Sequence, residues 1–302
     1  MTIVCAPSAP GQRLDHFLRE KLPEFSRARL QDWIKRSRVL VDGEPRKASF
    51  SLRGGERIEV NPEAPTPLNA TPEDLPLTIL YEDDDVIAVD KPAGMVVHSG
   101  AGHRSGTLVN ALLHHFGTLS SVGGDLRPGI VHRLDRYTSG VLLVARHDRS
   151  HRHLANQFAT RATRKTYLAL VHGVVKQDHG RVEKPIARDP ARRIRMTARL
   201  SSGRSALTDY RVLRRFRKFT LLEVDIHTGR THQIRVHLSG LGHPVVGDRL
   251  YGAPAQVEGL PTLDRFFLHA RRIVFAQPST GASVTVESPL PAELERWMEG
   301  LL

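Results

Sequence analysis

Residues 129–140 read Gly129-Ile130-Val131-His132-Arg133-Leu134-Asp135-Arg136-Tyr137-Thr138-Ser139-Gly140. Asp135 stands close to two arginines, Arg133 and Arg136, just ahead of a Thr-Ser-Gly turn. An unbroken apolar run, Val141-Leu142-Leu143-Val144-Ala145, follows. A short apolar run bounded by a turn reads as a strand, and the turn holds the carboxylate at its mouth. An ionised aspartate so placed can serve as nucleophile, base or metal ligand. An isolated Asp beside an Arg more often caps a turn or pairs with a surface charge, so the rest of the chain has to decide its role.

Outward from this stretch, short apolar runs dominate. Strands are predicted at 77–81 and 86–89, joined as a hairpin through Glu82-Asp83-Asp84-Asp85, and at 141–145, 166–171, 209–213, 221–226, 266–268, 273–275 and 284–286. Helices are predicted from the capping Thr107 to Phe116, at 148–158, at 231–238 and at 290–301. Strands dominate and do not alternate strictly with long helices. The class is therefore α+β with a largely antiparallel mixed sheet, and residues 77–302 suffice for one large domain.

The N-terminal part reads differently. Leu14, Phe17, Leu18 and Leu22 recur at helical spacing until Pro23, and Ser26 is placed to cap a second helix with Leu30, Trp33 and Ile34 as its apolar stripe. The other faces of that helix and its exit carry Arg27, Arg29, Lys35, Arg36 and Arg38. A short strand at 38–41 turns at Asp42-Gly43, a hairpin signal, and a strand at 57–60 closes the unit. With Arg13-Leu14-Asp15, Gln31 and Ile34, this helix–helix–hairpin pattern over residues 13–60 resembles the αL-type RNA-binding module. That module is shared by a small-subunit ribosomal protein, tyrosyl-tRNA synthetases and several RNA-modifying enzymes. Ser37-Arg38 stands where that family often has glycine. The resemblance implies basic side chains laid on RNA phosphates. Residues 61–76 are proline-rich and aperiodic, as expected of a semi-extended linker.

Composition narrows the partner. The 302 residues carry 44 Lys+Arg against 32 Asp+Glu, a formal charge of +12, which favours a polyanion. No apolar run approaches the roughly 20 residues of a membrane span, so nucleic acid is preferred to an anionic membrane. The single cysteine, Cys5, excludes a disulfide framework. The start of the chain lacks a secretory pattern, and the expected location is the cytoplasm.

Four stretches carry chemistry, the opening one among them: Lys91-Pro92-Ala93-Gly94; His132 to Asp135 with Thr138-Ser139-Gly140; Lys165-Thr166-Tyr167; and Thr228-Gly229-Arg230-Thr231-His232-Gln233-Ile234-Arg235-Val236-His237. Together, from about residue 77 to the end, they resemble the RluA-type family of pseudouridine synthases. Val97 to Gly102 and the attached module point to its ribosomal large-subunit branch. The resemblance implies that uridine is isomerised to pseudouridine: the N1–C1′ bond breaks, the uracil rotates, and C5 bonds to C1′. It makes Asp135 the catalytic carboxylate, Tyr167 the ring under the flipped base, Arg235 the partner of the aspartate, and Arg133 the arginine that fills the space the base leaves. Ile234 matches an apolar residue near the pocket, which core packing explains equally well.

No cofactor is implied, since no electrons or groups are transferred, and neither a dinucleotide fingerprint nor a P-loop is present. No metal is expected either. His232 and His237 are five apart rather than four, and His114 and His115 are adjacent, so neither pair suits one helical face. No Gly-x-Ser-x-Gly elbow marks a hydrolase. The expected partner is RNA, large-subunit ribosomal RNA or a pre-ribosomal particle, met by a monomer. The alternative is a non-catalytic RNA-binding assembly factor that kept the fold, and intact Asp135, Tyr167 and Arg235 argue against it.

Overall fold

The computed structural model describes residues 2–4, 11–22, 27–62, 70–99, 105–124, 126–192 and 194–301, without the side chains of 2–4 and 27–29. They form two compact units, Met1–Leu68 and Asn69–Leu302.

In the first unit, β1 (Thr2–Val4) is followed by α1 (Leu14–Lys21), α2 (Arg27–Lys35), β2 (Val39–Val41), β3 (Glu44–Pro45) and β4 (Arg57–Val60). The sheet runs β1-β4-β2-β3, all antiparallel. The helical stripes of the sequence meet here: Leu14, Phe17, Leu18, Leu22, Leu30, Trp33 and Ile34 pack on Val39, Val41, Leu52, Ile58 and Val60. Buried Asp15 ties the helices together, accepting from Arg13 Nε at 3.0 Å and Gln31 Nε2 at 2.7 Å. Asp42 (φ 52°) and Gly43 (φ 81°) make the β2–β3 turn, the primed type that suits a two-residue hairpin. Pro23 and Ser26, the expected stop and cap, lie outside the described residues. Strand β1 has no counterpart in the sequence reading.

α2 ends in a left-handed residue, Ser37 (φ 55°). The N–H of Arg38 donates to Trp33 O at 2.9 Å and that of Ser37 to Ile34 O at 3.1 Å. This is the helix ending that favours glycine at the left-handed position.

The second unit is built on β5 (Thr78–Glu82), β6 (Val86–Lys91), α3 (Leu108–Phe116), β7 (Ser139–Ala145), α4 (Asp148–Ala159), β8 (Arg164–His172), β9 (His179–Glu183), β10 (Ala187–Arg188), β11 (Met196–Thr197), β12 (Leu207–Arg215), β13 (Phe219–Ile226), α5 (Gln233–Gly240), β14 (Leu268–Ala276), β15 (Ser283–Glu287) and α6 (Ala292–Glu299). Among the described residues the main sheet runs β5-β6-β7-β14-β8-β13-β12-β9, with β15 on β14. The β7–β14 pair is parallel and the other named pairs in this sheet are antiparallel. Every residue of β7 is buried because both faces are covered. Leu142 and Val144 share a core with Leu108, Val109 and Leu112 of α3, while Val141, Leu143 and Ala145 meet Leu154 of α4 on the other. Among the described residues no helix is long and apolar enough to cross a membrane.

Several expectations need correction. The predicted strands 266–268 and 273–275 reduce to one strand, β14, which begins only at Leu268, after Phe266 and Phe267, and has an irregularity between Ala270 and Arg272. The helix predicted over 231–238 begins at Gln233, and β9 was not foreseen. Of the expected linker, 63–69 lie outside the described residues, whereas Thr71, Glu73 and Leu75 hydrogen-bond along α3 to Asn110 and His115.

A left-handed residue with a Cβ costs roughly 1–2 kcal/mol, partly offset by the chain entropy of glycine. Ser37→Gly is therefore expected to stabilise the protein by about 0.5 kcal/mol, seen as a higher midpoint in denaturant unfolding. An unchanged or lower midpoint contradicts this reading of the α2 ending.

Candidate active site

Asp135 sits in the loop that enters β7, and three local features fix it. Leu134 is buried and anchors one side. The Thr138 N–H donates to Asp135 O at 3.0 Å, closing the turn. Lys91, wholly buried, donates to the carbonyls of Pro92 (2.6 Å), Met95 (3.0 Å) and Arg136 (3.2 Å). This lysine staples the Lys91-Pro92-Ala93-Gly94 break to the residue after Asp135. Burial and then Arg265 push its ammonium down to about 7, against the opposing charges of Asp135 and Asp90. Gly140 (φ 110°) then brings β7 against β14, where a Cβ would stand 2.2 Å from Ala270 O.

Arg235, on α5, has a side chain only 6% exposed. Its Nη1 donates to Asp135 Oδ2 at 3.0 Å. Its Nε and Nη2 are taken by Asp248 Oδ2 and Oδ1 at 2.6 and 2.9 Å, a bidentate pair. The guanidinium lies 4.1 Å from the Phe266 ring centroid and 4.9 Å from that of Tyr251. Burial opposes its charge, but Asp248 and then Asp135 outweigh it and raise the pKa. Asp248 is itself buried, in the turn after Gly247, where a Cβ would stand 2.2 Å from Arg265 O.

Tyr167, on β8, and Asp135 line one cleft of about 380 Å³ together with Arg133, Phe158, Lys165, Ile226, Arg230, His232, Ile234, Arg235 and Leu268. That volume is in the range of small-molecule sites. Burial, and then the charge of Asp135, push the Tyr167 phenol well above its ordinary value. His232 precedes α5 in a left-handed conformation (φ 57°), with Nε2 4.0 Å from Asp135 Oδ2 and Nδ1 2.8 Å from Tyr251 Oη. Burial lowers its pKa, with Asp135 opposing. His132, paired with a backbone N–H of Leu143 and stacked on Phe158 at 4.6 Å, is pushed by burial down to about 3.

Asp135, Tyr167 and Arg235, named from the sequence, thus converge, and Arg133 is exposed at the rim. Ile234 serves both readings, in the core and on the cleft wall. In the first unit Lys35 and Arg36 are exposed and Arg38 is half-buried, with Arg36 Nε 3.1 Å from Asp32. The side chains of Arg27 and Arg29 lie outside the described residues. Of the histidines weighed as metal ligands, His237 is spent on Thr208 Oγ1 and Lys184 O. Among the described residues no group of three His, Cys, Asp or Glu could hold a metal ion. Sequence reasoning missed Asp248 and Tyr251. Their stretch, Gly247-Asp248-Arg249-Leu250-Tyr251-Gly252, carries no local signal beyond two turn glycines.

Comparison with known proteins identifies the family. Residues 85–240 match the family described as RNA pseudouridylate synthase, and residues 12–58 match the S4 domain. An uncharacterised RNA pseudouridine synthase of Aquifex aeolicus (strain VF5) is 52% identical over 244 residues, 80% of this chain and 77% of that one. The ribosomal large subunit pseudouridine synthase D of Xanthomonas campestris pv. campestris is 44% identical over 307 residues, 99% of this chain and 91% of that one. The structure of human RNA Pseudouridylate Synthase Domain Containing 1 matches with a TM-score of 0.59 and 30% identity, covering 72% of this chain and 85% of that chain.

The environment of Tyr167 makes a pH prediction. A raised phenol pKa keeps the ring neutral where ordinary tyrosines, at about 10, ionise. The ultraviolet phenolate signal of the wild type and of Tyr167→Phe should therefore coincide through pH 10. A tyrosine titrating near or below 10 that vanishes in the variant contradicts the described burial.

Proposed function

The chain belongs to the RNA pseudouridylate synthase family and is an RNA-modifying isomerase, and from that premise we propose that it converts uridines of large-subunit ribosomal RNA to pseudouridine with Asp135 as the catalytic carboxylate. The observation that carries this reading is Arg235 Nη1 at 3.0 Å from Asp135 Oδ2, on the wall of a cleft that also holds Tyr167. The arginine leaves one carboxylate oxygen for the substrate and fixes the direction in which it faces. Asp248 is the positioning residue: it takes two donors of Arg235 and leaves the third for Asp135.

A base inside stacked RNA has to be flipped out before it reaches such a cleft. Tyr167, neutral and flat, is the stacking platform, a contact worth about 1–3 kcal/mol. Because its phenol stays protonated, it acts as a ring and not as a phenolate base. Arg133, exposed at the rim with no hydrogen bond or ion pair among the described residues, takes the place of the flipped base in the stack. Residues 13–60 serve as the RNA anchor through Arg27, Arg29, Lys35, Arg36 and Arg38, contacts that are salt-sensitive and carry little sequence information. The target is chosen by RNA shape, as is general for structured RNA. Large-subunit ribosomal RNA is favoured because relatives covering 85–91% of their own length at 43–44% identity bear the name ribosomal large subunit pseudouridine synthase D. A cytoplasmic location and a monomeric state belong to the same proposal.

Asp135→Asn keeps the size of the side chain and removes its charge and nucleophilicity. We expect it to fold normally and to lose on the order of 10⁴-fold in tritium release from C5-labelled RNA. Near-normal turnover by the folded variant removes Asp135 from the mechanism. The substrate is tested separately, by mapping pseudouridines in RNA from cells with and without the gene. Loss of sites in large-subunit ribosomal RNA is expected, and loss confined to transfer RNA contradicts that assignment.

A further inference from the structure

Two lysines are buried in the second unit, and they are treated in opposite ways. Lys91 spends its three N–H donors on three backbone carbonyls. Lys165, on β8, is 8% exposed and lines the cleft, yet among the described residues its ammonium makes no hydrogen bond and no ion pair. Its contact is the face of Phe158, 5.5 Å from Nζ to the ring centroid. Burial pushes the ammonium down to about 8, so most of it keeps its charge at neutral pH. A largely buried cation without a counter-charge is costly to a fold. A structure retains one where something outside the chain completes it.

The other cations of the cleft are differently disposed. Arg235 is committed to Asp135 and Asp248, Arg230 donates Nε to Ser205 O, and Arg133 is exposed at the rim. Lys165 is two residues from Tyr167 on the same strand, so both side chains leave one face of the sheet, about 7 Å apart along it. A base lying on the Tyr167 ring therefore presents its edge to Lys165.

The reaction supplies the missing negative charge. When N1–C1′ breaks, its electron pair stays with the uracil and spreads over N1, O2 and O4. When C5–C1′ forms, a pair returns to the new bond. C5 then loses its proton and N1 gains one, so atoms and electrons balance without a further reactant. A cation at the base edge stabilises the broken-bond state more than the neutral starting base, which is what lowers a barrier.

We propose that Lys165 is a further catalytic residue, whose ammonium donates to a carbonyl oxygen of the flipped uracil and stabilises the charge on the base while the glycosidic bond is open. Placed at position 4, the same donor favours uracil, which offers O4 as an acceptor, over cytosine, which turns an amine donor toward it there.

The proposal rests on the isomerase reading above, and its test separates the two. Single-turnover conversion at saturating enzyme is measured for wild type, Lys165→Met and Lys165→Arg. The RNA carries either uridine or 5-fluorouridine at the target. With fluorine at C5 there is no proton to lose, so once C5–C1′ has formed water adds across N1=C6. The product, pseudouridine or its 5-fluoro-6-hydroxy adduct, is read by chromatography of the digested RNA. Fluorine at C5 withdraws charge and stabilises the open uracil by itself, so the cation matters less. Lys165→Met should lose about 100-fold on uridine, the size of losing one preorganised donor. It should lose clearly less on 5-fluorouridine and keep its RNA affinity, and Lys165→Arg should recover part of the rate. If Lys165→Met is unstable, Lys165→Gln, neutral but polar, takes its place in the same comparison. Equal losses on both substrates point to a structural lysine and overturn the proposal. So does weaker RNA binding with a flatter salt dependence and an unchanged saturated rate, the signature of a phosphate contact. Wild type that converts neither RNA defeats the isomerase reading itself, whereas active wild type beside an equally active Lys165→Met defeats only the role of Lys165.

Discussion

One buried guanidinium holds the site together. Arg235 stands between Asp248, whose side chain is 1% exposed, and Asp135, at 18%, with aromatic rings from Phe266 and Tyr251 against it. Removing one partner from a buried charge pair strands the other, at a cost of about 3–5 kcal/mol. The three groups come from parts of the chain far apart in sequence: the loop into β7, helix α5, and the turn after Gly247. The contact therefore reports that the fold has closed and, in the same geometry, aims the Asp135 carboxylate. The gradient of exposure matters too. The inner aspartate spends both carboxylate oxygens on the arginine, while the outer one keeps a face open to the cleft.

Around this clamp the chain arranges its charges by burial. Tyr167 and His132 are kept neutral by burial, the first pushed up and the second down. Lys91 is buried but fully donated to carbonyls, which fixes the loop carrying Asp135. Lys165 is buried and left incomplete. The cleft thus combines a rigid carboxylate, a neutral ring and a cation with donors to spare, a set suited to a base that carries charge only transiently.

How legible this was in the sequence depended on range. Local signals carried well. The stripe Leu14, Phe17, Leu18 and Leu22, the Thr107 cap with its Asn110 reciprocal bond, and the apolar run 141–145 all describe short-range physics that tertiary structure reinforced. Thr231 and His232 fit the helical period, so the sequence places the α5 start two residues too early. A left-handed backbone at His232, held by its contact with Tyr251, interrupts it, and no periodicity encodes that. Strand β14 was split because its middle, from His269 to Arg272, is polar, and its pairing with both β7 and β8 is a long-range property. Asp248 was invisible for the same reason. A lone aspartate after a turn glycine looks like any loop residue until α5 places Arg235 beside it. Family resemblance supplied Asp135, Tyr167 and Arg235 together, but it could not show that a second aspartate sets the arginine.

The claim that Asp248 acts on Asp135 only through Arg235 is open to a direct measurement. Single-turnover rates on the same RNA are compared for Arg235→Ala, Asp248→Ala and the double variant, with folding verified for each. If Asp248 works through the arginine, its removal costs nothing further once Arg235 is gone, and the double variant matches Arg235→Ala, a strongly non-additive cycle. Losses that multiply, with the double variant slower by the product of the two single effects, contradict the account and make the two residues independent.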